Sequence, residues 1–103
     1  MYARVSRYEV PIDRLDEDIR DVDKAEKAVS GMPGSLGLYY LVDRESGKTM
    51  SVTLWESGKA MRDSETAADR LRRETTSAVS AKIVSVERYE VVAQPAMVPA
   101  GPT

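Results

Sequence analysis

Residues 34–55 read Gly34-Ser35-Leu36-Gly37-Leu38-Tyr39-Tyr40-Leu41-Val42, then Asp43-Arg44-Glu45-Ser46-Gly47, then Lys48-Thr49-Met50-Ser51-Val52-Thr53-Leu54-Trp55. Both outer runs have the two-residue period of a strand. Leu36, Leu38, Tyr40 and Val42 share one face of the first run; Gly37, Tyr39 and Leu41 share the other. In the second run Met50, Val52 and Leu54 alternate with Ser51, Thr53 and Trp55. The polar segment between them is a turn, with Gly47 available for a positive φ. The stretch predicts a β-hairpin whose first strand is apolar on both faces.

Working outward toward the N-terminus, Ile12, Leu15, Ile19, Val22, Ala25 and Val29 recur at three- and four-residue steps, the stripe of a helix that covers a sheet. Asp13, Asp16, Glu17 and Asp18 occupy its early turns, where carboxylates oppose the positive end of the helix dipole. Gly31 and Pro33 give a stop signal, read as a left-handed cap followed by a residue that cannot continue the helix. Before this helix, residues 2–10 read as a strand that Pro11 ends, because proline has no N–H to donate.

Toward the C-terminus a second helical region runs over about 57–79, with Ser57 as its N-cap. Met61, Ala68, Leu71, Ala78 and Val79 form a weaker stripe. Ser64 and Thr66 interrupt it, and Thr66-Ala67-Ala68-Asp69 approximates a capping box, so a break near residue 64 or two successive helices are expected. Residues 82–92 form the last strand, whose apolar phase slips between Val86 and Tyr89 and predicts either a bulge or a strand that serves two environments. The segment 94–103, with Pro95, Pro99 and Pro102, is expected to be a disordered tail. An arm lying across a partner subunit is the other reading.

The order β-α-β-β-α-β predicts an α+β, ferredoxin-like domain over residues 1–93: a four-stranded antiparallel sheet with two helices on one face. A chain of 103 residues fits one such domain. The uncovered face of that sheet would leave an apolar patch in water. A second copy packed sheet to sheet, about 10 Å away, would bury it. A homodimer through the sheet face, a dimeric α+β barrel, is therefore expected.

Composition removes several function classes. The net charge is −2, with no clustered excess of Lys and Arg for a phosphate backbone, so no nucleic acid is expected. Arg70, Arg72 and Arg73 are flanked by Asp69 and Glu74 and read as a solvated helix face. The chain has neither histidine nor cysteine. It lacks the side chain that most often serves as general base near neutrality, and the preferred ligands of zinc, iron and copper. No metal and no cofactor are expected; Asp13, Asp16, Asp18, Asp21 and Asp23 read as a solvated helix face rather than a calcium loop. No apolar run spans a bilayer and no leader pattern opens the chain, so no membrane contact and a cytoplasmic location are expected.

Several anchors resemble the antibiotic biosynthesis monooxygenase superfamily of dimeric α+β barrels. They are Glu9-Val10-Pro11, Met32-Pro33-Gly34-Ser35-Leu36-Gly37, Leu54-Trp55-Glu56-Ser57 and Tyr89-Glu90-Val91-Val92. Its members include cofactor-independent oxygenases of aromatic polyketides, haem-degrading enzymes, and small proteins without established activity. The resemblance implies a pocket between helices and sheet, to which a third-strand tryptophan and a first-strand asparagine contribute. Trp55 matches the tryptophan, and Ser6 stands at the asparagine position. The second-helix histidine of the haem-degrading branch has no counterpart.

Four residues follow as candidate ligand contacts: Trp55, Ser6, Arg4 and Tyr40. Trp55 is either a core side chain or a wall that stacks on an aromatic ligand. Ser6 either fits beneath a helix or donates to a ligand oxygen. Arg4 is either an exposed strand-end residue or the counter-charge of an enolate or carboxylate. Tyr39 and Tyr40 point to opposite faces, so one meets the pocket and the other the dimer interface; Tyr89 is expected in the core. The functional expectation is a non-catalytic dimer that binds a small aromatic ligand. The alternative is a cofactor-independent monooxygenase of an aromatic polyketide-like phenol or enol.

Overall fold

A computed structural model describes residues 1–95. The tail expected at 94–103 lies, from residue 96 onward, outside the described residues. Strand β1 (Tyr2–Glu9) leads through a 3-10 turn (Ile12–Arg14) into α1 (Leu15–Arg20) and α2 (Val22–Ser30). The hairpin follows as β2 (Ser35–Val42) and β3 (Lys48–Trp55), then α3 (Gly58–Asp63), α4 (Glu65–Ala78) and β4 (Lys82–Glu90). The strands form one antiparallel sheet in the order β2-β3-β1-β4, the ferredoxin-like arrangement with the helices on one face.

The hairpin closes where glycine is required. Gly47 has φ +78°, and a Cβ there would meet the Val10 carbonyl oxygen at 2.3 Å. Gly34, also at φ +78°, lies so near α3 that a Cβ would meet the Ala60 Cβ at 2.4 Å. Ser57 caps α3 as expected, its hydroxyl accepting from the Ala60 N–H at 3.0 Å.

Three local expectations are corrected. The first helix is interrupted at Asp21, and its end at Gly31 has φ −80°, an ordinary right-handed conformation rather than a left-handed cap. The break near residue 64 is present, but no capping box forms there. Ser64 instead turns its hydroxyl back to the Met61 carbonyl at 2.6 Å. The bulge in β4 lies opposite Arg7/Tyr8, where Ser85 pairs with Arg7 and Ile83 with Tyr8, earlier than the phase slip indicated.

The helix side of the sheet is buried and largely polar. Arg4, Ser6 and Tyr8 of β1 lie beside Thr49, Ser51 and Thr53 of β3, and all but Ser51 are fully buried. Apolar packing is divided between two ends of this layer. Val10, Leu15 and Val79 cluster at one end; Val29, Trp55 and Met61 cluster at the other. The opposite side of the sheet carries Val5, Val52 and Tyr39 in one cross-strand row and Met50 with Leu41 in the next. Tyr39 is 64% exposed, Leu41 51% and Tyr89 50%. Tyr89, expected in the core, pairs with Ala3 on this outer face.

Candidate functional site

Between the two apolar clusters the helices stand off the sheet and leave a cavity of about 300 Å³. Its floor is the polar strip of β1, β2 and β3, including Ser6, Tyr8, Tyr40, Ser51 and Thr53. Its roof is the apolar stripe of two helices: Val22, Ala25 and Val29 from α2, and Ala68 and Leu71 from α4. The three- and four-residue spacing that identified these helices also aims that stripe at the cavity.

Arg4 projects from the floor and is 2% exposed. Its Nη2 donates to the Met61 carbonyl at 2.7 Å and to Ser64 Oγ at 2.9 Å, and lies 3.0 Å from Glu65 Oε1. The guanidinium also sits 5.4 Å from the centre of the Trp55 ring, a cation–π contact. Burial pulls its pKa below the ordinary arginine value, while Glu65 opposes the shift. Glu65 in turn is held down to about 2, first by Arg88, which reaches it with two hydrogen bonds of 2.7 Å, and then by Arg4.

Across the cavity the Tyr40 hydroxyl donates to the Asp18 carboxylate and accepts from Thr49 at 2.9 Å. Burial, reinforced by the Asp18 charge, raises the Tyr40 pKa. Asp18 is raised as well, because burial outweighs the Tyr40 hydrogen bond. Asp18 is thus a carboxylate of enhanced basicity on the wall of a cavity.

Arg4, Ser6 and Tyr40 stand together on the cavity wall. Trp55 is not among the lining residues; it is fully buried one layer behind. Its Nε1–H donates to Thr53 Oγ1 at 2.9 Å, and its ring supports Arg4. Arg4 is not the exposed strand-end residue that was its simpler reading. Three further wall residues were read as solvated helix surface: Asp18, Asp21, and Arg72, which is 7% exposed. For Asp18 a signal existed, since it lies one residue before Ile19 and three after Leu15 on the same stripe.

No family model matches the chain. It is 30% identical over 94 residues to "Uncharacterized protein Rv2557" of Mycobacterium tuberculosis strain H37Rv, and equally to "Uncharacterized protein MT2634" of strain CDC 1551. The match covers 90% of this chain and 42% of those relatives, so the chain spans less than half of their length. Among solved structures it is similar to a Deinococcus radiodurans protein classed with the antibiotic biosynthesis monooxygenases. There the TM-score is 0.74 at 11% identity, over 95% of this chain and 99% of that one. It is similar also to the haem degrader MhuD of Mycobacterium tuberculosis, solved with two haems in its active site. That TM-score is 0.70 at 24% identity, over 93% and 100% of the two chains. The chain has the antibiotic biosynthesis monooxygenase fold.

MhuD raises the question of whether haem fits here, and the residues do not suit it. An axial ligand would be His, Cys, Tyr or Met. The chain has no His or Cys. No methionine among the described residues lines the cavity, and of the tyrosines on its wall Tyr40 is held by Asp18 and Thr49 while Tyr8 lies 3.3 Å from Ser51 Oγ. Among the described residues no group of His, Cys, Asp or Glu is placed to hold a metal, and no helix is long and apolar enough to cross a membrane.

Proposed function

We propose that this chain is a homodimeric small-molecule-binding protein whose folded unit, residues 1–93, holds a small aromatic or enolic ligand between its helices and its sheet. The observation that carries this reading is the cavity of about 300 Å³ between a polar floor and an apolar roof. That volume is at the lower end of small-molecule sites, roughly 300–1,000 Å³, and few polar groups among apolar walls is their usual composition. Dimerisation is supported by Tyr39, Leu41 and Tyr89, all at least half exposed on the outer face of the sheet. A second copy would convert that face into an interface, as in the sheet-to-sheet packing of sandwiches.

The ligand is bound rather than transformed in this reading. The raised proton affinity of Asp18, beside Tyr40, favours a second one: cofactor-independent monooxygenation of a phenol or enol. Asp18 would accept a proton from an activated ring CH₂ in its enolisable form. One atom of O₂ would then replace both hydrogens as a carbonyl, and the other would leave as water.

Titration with a panel of phenols, quinones and enolic diketones, followed by fluorescence, tests both. Trp55 is the sole tryptophan and contacts Arg4 and Thr53, both cavity residues. A saturable change with at least one compound supports the binding reading. Oxygen uptake with that compound moves the assignment to the monooxygenase. A flat response across the panel contradicts both.

A further inference from the structure

Arg4 rises from the sheet floor and Arg72 descends from α4, and both line the same cavity. They are 2% and 7% exposed. Each guanidinium has five N–H donors in a planar fork, and in neither is the fork filled. Among the described residues, the hydrogen bonds and ion pair of Arg4 all run through Nη2, and those of Arg72 run through Nη1 to Asp69 at 3.3 Å. The Nε atoms of both are buried and have no partner. Each cation meets its carboxylate through one terminal nitrogen, Arg4 with Glu65 and Arg72 with Asp69. Among the described residues the other terminal nitrogen of each has no hydrogen bond and is left for a group in the cavity.

We propose that Arg4 and Arg72 bind the carboxylate of a planar aromatic or enolic acid, an inference that rests on the small-molecule cavity proposed above. Paired guanidinium donors suit the two in-plane oxygens of a carboxylate. Thr53 lies directly opposite Arg4 in the strand register, and Ser6 follows it on the same face, so hydroxyls flank the charged end. Tyr40 lies two strands away from β1, about 10 Å across the floor, which leaves room for one ring between the acid group and the Tyr40–Asp18 pair. The wall also balances Arg4, Lys24 and Arg72 against Asp18, Asp21 and Glu74. Those six charges cancel, so the wall supplies no net positive field to favour the double charge of a phosphate monoester.

The test is titration of the isotopically labelled full chain with benzoate, benzamide and phenyl phosphate, reading the side-chain N–H signals of the arginines by NMR. Benzoate should saturate, shift the Arg4 and Arg72 signals, and bind about tenfold more tightly than benzamide. Arg72→Gln should remove that preference, as should Arg4→Lys, which keeps the charge but loses the fork. Equal binding of benzoate and benzamide, with the arginine signals unmoved, overturns the carboxylate assignment and leaves the cavity reading standing. Preference for phenyl phosphate overturns the choice of carboxylate. Failure of all three to bind overturns this inference, and the panel of neutral phenols then decides the cavity reading separately.

Discussion

The two faces of the sheet reverse the usual order. The face under the helices carries Arg4, Ser6, Thr49 and Thr53, all buried; the face away from them carries Val5, Val52, Tyr39 and Leu41, with the last two more than half exposed. A monomeric two-layer domain places its apolar side against its helices. This chain places there a strip of hydroxyls and a guanidinium, and exposes Tyr39, Leu41 and Tyr89 on the outside, beside the Arg7–Glu87 ion pair. The difference motivates the proposed reading, in which the inner layer serves a ligand and the outer layer a second copy.

The largest expected effect comes from the inner face. Arg4→Ala takes from Glu65, Ser64 and the Met61 carbonyl their shared donor; Glu65 keeps Arg88, so the cost is that of buried groups left unsatisfied, about 1–3 kcal/mol. Urea unfolding should show that loss; a loss below about 1 kcal/mol would mean that Arg4 is held as loosely as a surface pair. On the outer face, Val52→Lys places a charge at the centre of the apolar row. It should yield a folded monomer by light scattering, with little change in circular dichroism. An unaltered size distribution would place the interface elsewhere.

A smaller effect is expected from acid. The Glu65 carboxyl is lowered from 4.5 to about 2 in the folded chain. Its stabilisation is therefore complete above about pH 4.5 and is lost as pH falls toward 2. The melting temperature should decline across that window, and Glu65→Gln should flatten that part of the profile. The smallest effect is at the α3 cap, which lies outside both faces. Ser57→Ala removes the bond to the Ala60 N–H and should cost about 1 kcal/mol in the same unfolding assay.

How far these faces could be read from sequence depends on the range of the interaction that decides each residue. The hairpin was legible because alternation over 35–42 and 48–55 is a local property, and β3 spans Lys48–Trp55 as that alternation predicts. The helix break was legible from Ser64 and Thr66 for the same reason. The fate of Arg4 was not, because its partners at Met61, Ser64 and Glu65 lie about sixty residues along the chain. An arginine on a strand has no local mark that distinguishes burial from exposure. Asp18, Asp21 and Arg72 were hidden by their neighbours: an acidic run and a basic run each read as solvent-facing, although these members turn toward the cavity. Trp55 was singled out, and its place is behind Arg4 and Thr53 rather than on the wall itself.

The central claim is that a second copy covers the apolar outer face, and sedimentation velocity of the unmodified chain at micromolar concentration tests it directly. The account predicts one boundary at twice the chain mass of 11.4 kDa. A boundary at the chain mass itself, unchanged on concentration, would contradict it.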